Sequence, residues 1–219
     1  MDRSVFLNSR QNLILGNIHY FKYLTTSQLY TLAFEDSNSG IRYCQIVMKK
    51  MFNNKEVKRF RHREFIYYVG KKKPDWKSII ALNNLYFNIR ARGKVIQFQP
   101  ELPFLTGRCD AFFVAEYQGR KRKFFIEVDR DTTPFNKANI YNALLQTDWE
   151  KEAWADPLKR GVISFPLVVV LTIRKHIVER DFMKAKFNYH ILDLHQPEWE
   201  VIFKGGELND SMRKNYFPA

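Results

Sequence analysis

The chain has 219 residues, 45% of them hydrophobic and 16% aromatic, enough apolar material for a packed core, which excludes a disordered or fibrous protein. Lys and Arg number 36 against 23 Asp and Glu, a net charge of +13, and the length admits two domains. Cys44 and Cys109 stand far apart with no second Cys or His at ligand spacing, which excludes a disulfide framework or zinc cluster and fits a reducing, cytoplasmic setting.

In chain order, Ile14, Ile18 and Phe21 follow helical spacing, with Leu13, Tyr20 and Leu24 beside them, and predict a first helix from about Arg10 to Tyr23. Thr25 with Gln28 three residues on has the form of a capping box and opens a short second helix that buries Leu29, Leu32 and Ala33. A polar turn, Asp36 to Gly40, ends it. A third helix from about Ile41 to Asn53 places Cys44, Val47, Met48 and Met51 on one side and Arg42, Gln45 and Lys49 on the other. The period then becomes that of strands, Glu56 to Phe60 and Phe65 to Val69, around the polar tip Arg61, His62, Arg63 and Glu64.

Three helices followed by a basic hairpin is the order of a winged helix-turn-helix, in which the third helix enters the major groove and the wing touches backbone or the neighbouring groove. Residues 41–73 hold eleven Lys and Arg against Glu56 and Glu64, a net of +9, while residues 1–40 are neutral. A polyanion is the natural counterpart, and double-stranded DNA fits the pattern. The candidate contacts are Arg42, Gln45, Lys49 and Lys50 on the helix and Lys58, Arg59, Arg61 and Arg63 on the wing. Two blander readings stay open: a solvated basic face, and a small helical domain that holds a protein partner. An anionic membrane surface is disfavoured, because the aromatics do not lie on one helical stripe.

Residues 74–219 predict an α/β domain after a winged-helix domain over 1–73. Pro74 and Asp75 start a helix that runs to about Arg92 and stops at Gly93. Strands follow at Val95 to Gln99, Cys109 to Tyr117 and Arg122 to Asp129, the last two joined by Gln118 and Gly119. A helix from about Asn136 to Gln146 comes next. The run Pro166 to Ile173 reads as a central strand buried on both faces. It is too short to span a bilayer, and the first sixteen residues lack a leader pattern, so neither membrane insertion nor secretion is expected. A helix Val178 to Phe187 and a strand His190 to Leu194 complete a mixed sheet flanked by helices.

The hairpin turn sets a register. With Gln118 and Gly119 as a two-residue loop, Asp110 lies directly opposite Glu127, with Cβ atoms roughly 5 Å apart. With a four-residue loop, Asp110 faces Asp129 instead. Glu127 and Asp129 share a face by strand alternation, so either register gathers two or three carboxylates there. Such a cluster can bind magnesium or manganese, with Asp110 and Glu127 as the metal ligands. It can equally be a solvated polar face with Arg108 and Arg130 as counterions, although Phe124, Phe125 and Ile126 argue for a strand covered by a helix.

The segments Gly107-Arg108-Cys109-Asp110-Ala111-Phe112-Phe113 and Phe124-Phe125-Ile126-Glu127-Val128-Asp129-Arg130-Asp131-Thr132 resemble the Arg-Pro-Asp-Ala and Glu-hydrophobic-Asp-Arg-Gly-Thr stretches of the replication-relaxation proteins of plasmids and other mobile elements in Gram-positive bacteria. That family places a winged helix before an α/β domain, and the resemblance implies a role in plasmid replication or DNA relaxation. The α/β domain is also similar in order to the restriction-endonuclease-like PD-(D/E)xK fold, whose metal site takes an Asp from one strand and Glu-x-Lys from the next. By that resemblance Asp110 and Glu127 match the acidic positions. Asp129 occupies the lysine position, Arg108-Cys109 stands for Arg-Pro, and Lys137 is the candidate for a relocated lysine, with Tyr141 one turn on.

The expected function is therefore DNA binding through the winged helix, for replication, relaxation or their regulation, with a degenerate nuclease-like domain. The alternative is a Mg- or Mn-dependent endonuclease or nickase using Asp110, Glu127, Asp129 and Lys137. A third reading makes Trp199, Val201, Ile202, Phe203 and Tyr216 an apolar tail that meets plasmid replication proteins, against the plainer one that they finish a core. Winged-helix proteins often bind two-fold sites as homodimers, but no heptad marks an interface here.

Overall fold

The computed structural model describes residues 3–35, 40–129, 134–155 and 164–203, with side chains from residue 9 onward. The chain divides into two compact units, 1–83 and 84–219.

In the first unit the elements are α1 (Arg3–Phe21), β1 (Tyr23–Thr25), α2 (Thr26–Ala33), α3 (Gly40–Asn53), β2 (Lys58–Arg61) and β3 (Phe65–Tyr68). The capping box at Thr25 is complete: its hydroxyl accepts from Gln28 N at 3.2 Å while Gln28 Oε1 accepts from Thr25 N at 3.0 Å, a pairing that satisfies two otherwise orphaned helix-start donors. Cys44, Val47, Met48 and Met51 are the buried residues of α3, and they form the core with Ile14, Ile18, Phe21, Leu24 and Leu29. The strands form an antiparallel sheet in the order β1-β3-β2. Three helices and then a hairpin is the order expected from the sequence. β1 has no counterpart in the sequence reading, because three residues after a left-handed Lys22 (φ 65°) are too few to display a period. The expected turn at Asp36 to Ser39 lies outside the described residues.

At the tip of the β2–β3 hairpin Glu64 turns inward, and its carboxylate accepts from Ser27 N at 2.9 Å and Ser27 Oγ at 3.0 Å. A carboxylate at the start of α2 meets unpaired backbone donors and the positive end of the helix dipole. The boundary between units falls inside α4 (Trp76–Arg92), at 83/84 where the sequence suggests 73/74. The first half of α4 is tied to the first unit: the Trp76 ring at its start meets Phe60 edge-on at 4.8 Å, and Asn83 Nδ2 near its middle donates to the carbonyls of Phe21 and Tyr23.

The second unit continues with β4 (Lys94–Pro100), the short pair β5 (Pro103–Phe104) and β6 (Gly107–Arg108), β7 (Ala111–Tyr117), β8 (Arg120–Val128), α5 (Ala138–Leu145), β9 (Leu167–Thr172), α6 (Lys175–Phe182) and β10 (Tyr189–Asp193). The mixed sheet has the order β10-β9-β8-β7-β4, antiparallel from β4 to β8 and parallel from β8 to β10. Gln118 (φ 50°) and Gly119 (φ 76°) both take the left-handed conformation of a two-residue type I′ turn, and Tyr117 faces Arg120, the first of the two registers. β9 is buried throughout and paired on both sides, but the middle place belongs to β8.

One face of the sheet packs Phe112, Val114, Phe125, Val168 and Val170 against Ala138, Tyr141 and Leu144 of α5, Val178 and Phe182 of α6, and Phe187. The expected helix Val178 to Phe187 starts and ends earlier, at Lys175–Phe182. Phe187 continues the apolar spacing but enters the core from a loop, meeting Phe182 edge-on at 5.3 Å. Trp199 and Phe203 are buried against Tyr117, and Phe203 also against Phe124. They therefore close a core, which overturns the reading of this segment as an exposed docking tail; Tyr216 lies outside the described residues.

Gly93 ends α4 with its N–H on Ile89 O at 2.8 Å, and a Cβ there would stand 2.6 Å from the carbonyl oxygen of Glu116 on β7. Gly93→Ala is expected to lower stability by about 1–3 kcal/mol through overpacking against backbone, read as a fall in the urea midpoint. An unchanged midpoint counts against this packing.

Candidate active site

The hairpin register determines the site. The β7–β8 pairs end at Ala111 opposite Ile126, so counting one step on sets Asp110 across from Glu127, and Asp110 N donates to Ile126 O at 3.1 Å. The Asp110 carboxylate is held in turn by Val128 N, which donates to Oδ2 at 2.8 Å. Glu127 lies on the helix-covered face two residues after Phe125 and is 1% exposed.

The helix above supplies what a buried carboxylate needs. Tyr141 of α5 donates its hydroxyl to Glu127 Oε1 at 2.6 Å. Lys137, immediately before α5, brings Nζ to 2.9 Å from Glu127 Oε2 and 3.4 Å from Arg108 O. Among the described residues that ammonium is the charged partner facing Oε2, which is buried. Burial pushes the Glu127 carboxyl up from its ordinary 4.5 to about 7, and the Asp110 charge pushes the same way. Lys137 and the Tyr141 hydrogen bond pull it back. Burial first, then the Glu127 charge, drives the Tyr141 hydroxyl and the neighbouring Cys109 thiol well above their ordinary ranges, so neither ionises near neutrality.

Lys137 is placed from a distance. α5 has no side-chain cap of its own, and Asp181 of α6 supplies one: its Oδ2 accepts from Lys137 N at 2.8 Å and Ala138 N at 3.0 Å. The sequence reading missed Asp181, and no local signal points to a residue 44 positions away.

Asp129 differs from the expectation of a shared three-carboxylate cluster. It forms its own buried assembly, accepting from Thr172 Oγ1 at 2.7 Å and from Arg174 Nε at 3.0 Å, with Arg174 Nη2 on the other oxygen. Neither expected counterion fills this role: Arg108 lies 3.8 Å from Glu101 on the surface, and Arg130 is outside the described residues. Among the described residues no group of three or more His, Cys, Asp or Glu side chains is placed to hold a metal ion. Asp110 and Glu127, whose charges act on each other, are the carboxylates that could hold a small hard cation. Magnesium is characteristically held by one or two carboxylates, with water and phosphate oxygens completing its shell.

In the first unit, Arg42, Gln45, Lys49 and Lys50 are exposed on α3, and Arg61 and Arg63 at the tip of the β2–β3 hairpin. Ile46, 58% exposed, lies in the same helical stripe and was not singled out from sequence. Lys58 donates its ammonium to Gly70 O at 2.9 Å. Arg59 has its guanidinium 4.2 Å from the ring centres of both Phe52 and Phe65.

No family model and no curated protein matches this chain, so the likeness to replication-relaxation proteins rests on the two motifs and the domain order read from the sequence. Among solved structures, restriction endonuclease FokI bound to DNA aligns with a TM-score of 0.35 and 13% identity, covering 94% of this chain and 46% of that one. A second structure of restriction endonuclease FokI aligns with a TM-score of 0.32 and 12% identity, covering 93% of this chain and 44% of that one. The chain thus spans less than half of those proteins, and a likeness this distant carries no weight for function.

The raised Glu127 carboxyl has a sign for stability. The folded chain keeps a proton that the unfolded chain releases above about pH 4.5, so stability present at lower pH is lost as pH rises toward about 7. Glu127→Gln is expected to flatten that decline, measured as urea midpoints at about pH 5 and about pH 8. An equal decline in both proteins contradicts the assignment.

Proposed function

We propose that the chain is a DNA-binding protein of a plasmid or other mobile element, acting in replication, DNA relaxation or their regulation, with a nuclease-like α/β unit. The observation that carries the reading is the exposed face of α3. It offers Arg42, Gln45, Lys49 and Lys50 in a helix with no acidic residue, followed by Arg61 and Arg63 on a wing tip whose own acid, Glu64, is engaged by Ser27. Arg and Lys suit phosphates and guanine edges, and Gln suits adenine in the major groove.

The expected result is salt-dependent binding of duplex DNA by fluorescence anisotropy. Arg42→Ala with Lys49→Ala should weaken it and reduce the slope of log affinity against log salt by about 0.9 for each phosphate no longer neutralised. Affinity no greater than that of a neutral protein ends this reading.

A second reading, a metal-dependent endonuclease or nickase, is favoured by one observation: Lys137 Nζ reaches the Glu127 carboxylate at 2.9 Å although the usual lysine position holds Asp129. In this reading Asp110 and Glu127 hold magnesium or manganese, and Lys137 orients the attacking water or meets the phosphate. The ion, when bound, acidifies water and stabilises the leaving oxygen. Asp129 supports the strand end through Arg174. Supercoiled plasmid with Mn²⁺ should be nicked, and Lys137→Ala should slow nicking by about 10²-fold or more. Asp110→Ala with Glu127→Ala should abolish it. Plasmid left intact by the unaltered protein with either ion excludes catalysis and leaves the DNA-binding reading in force.

A further inference from the structure

The wing and α3 meet at an arginine whose surroundings are unusual. Arg59 on β2 has its guanidinium carbon 4.2 Å above the ring of Phe52, from the last turn of α3, and 4.2 Å above the ring of Phe65, from β3. Two rings thus bear on one guanidinium, a favourable placement of a cation on aromatic quadrupoles. A guanidinium carries its N–H donors in its own plane, and rings seated over its central carbon do not use them. Among the described residues no hydrogen bond or ion pair takes up those donors. A purely structural arginine would be expected to spend them on carbonyls or carboxylates, as Arg174 does on Asp129.

The position adds a second constraint. Phe52 lies one turn after Lys49 on α3, and Arg61, two residues after Arg59, opposes Phe65 across the hairpin. The stack therefore joins the exposed basic face of the helix to the basic tip of the wing. In a winged helix these two elements address adjacent grooves, and the sugar-phosphate backbone runs between grooves.

We propose that Phe52, Arg59 and Phe65 form a phosphate clamp, in which the two rings hold the Arg59 guanidinium edge-out to grip one backbone phosphate of duplex DNA between α3 and the wing. This rests on the DNA-binding reading above. Arg59 touches the phosphate, and Phe52 and Phe65 are positioning residues, because a guanidinium already immobilised loses less rotamer freedom on binding. The fork of in-plane donors suits two oxygens of one phosphate.

The test is fluorescence anisotropy of the full chain with a labelled duplex across a salt series, with thermal unfolding recorded for every variant. Arg59→Ala should reduce the salt slope by about 0.9, the signature of one phosphate left without its cation. Arg59→Lys keeps the charge but not the fork, and it should keep the slope while weakening binding. Phe65→Leu and Phe52→Leu keep apolar bulk and the arginine; they should weaken binding about 3-fold each at unchanged slope, the scale of a cation–π interaction. Neither should weaken binding further once Arg59 is Ala. Should Arg59→Ala prove unstable, the Arg59→Lys and Phe→Leu variants decide. A lower melting temperature with unaltered affinity and slope makes the stack a structural brace and overturns the clamp while leaving DNA binding intact. Absence of duplex binding by the unaltered protein overturns both.

Discussion

A carboxylate set in the middle strand of a helix-covered sheet must be answered by its neighbours, and the second unit is arranged around that demand. Removing an ionised carboxylate from water costs several kcal/mol unless partners compensate. Glu127 is answered from one element, the start of α5, which contributes the Lys137 ammonium and the Tyr141 hydroxyl. The packing of α5 on Phe125 and Val170 is thus more than apolar burial. It delivers charge and a donor to one point on the sheet, while Asp110 adds a second carboxylate across the β7–β8 ladder. The same polar point in an otherwise aromatic core is what gives this surface its chemical interest.

Two buried ion pairs at the end of β8 divide the labour. Glu127 meets Lys137 on one oxygen and Tyr141 on the other, whereas Asp129 is held on both oxygens by the Arg174 fork and also by Thr172. The first pair has a second carboxylate, Asp110, acting on it. The second ties β8 to the end of β9, where Thr172 also accepts from Arg174 N at 2.7 Å, and so fastens the strand that presents Glu127. Removing Arg174 would leave the buried Asp129 charge uncompensated, at a cost of about 3–5 kcal/mol, whereas Glu127, already raised to about 7, would keep its proton without Lys137.

The parts of this fold that were legible in the sequence are those determined by neighbours along the chain. The Thr25 and Gln28 capping box, the buried stripe of α3 and the Gln118-Gly119 turn each depend on residues within a few positions. From that turn the opposition of Asp110 and Glu127 follows by counting. Lys137 was legible as a residue one helical turn before Tyr141, but its 2.9 Å approach to Glu127 depends on how α5 lies across the sheet. The partnership of Asp129 with Arg174, 45 residues away, has no local signature, and so Asp129 read as a member of the carboxylate cluster. Phe187 misled for a similar reason: its apolar spacing matches a helix, while its burial comes from a loop. β1 left too short a trace for any period.

The cap on α5 makes the site late as well as composite. Asp181 holds the backbone of Lys137 and Ala138 from an element that follows β9 in the chain, so a chain emerging from the ribosome has both carboxylates and the lysine in hand long before it can fix their geometry. Until α6 arrives, α5 starts with unpaired donors and Glu127 lacks an anchored cation. Assembly of the polar point therefore depends on a closure across 44 residues, whose entropy local interactions do not offset.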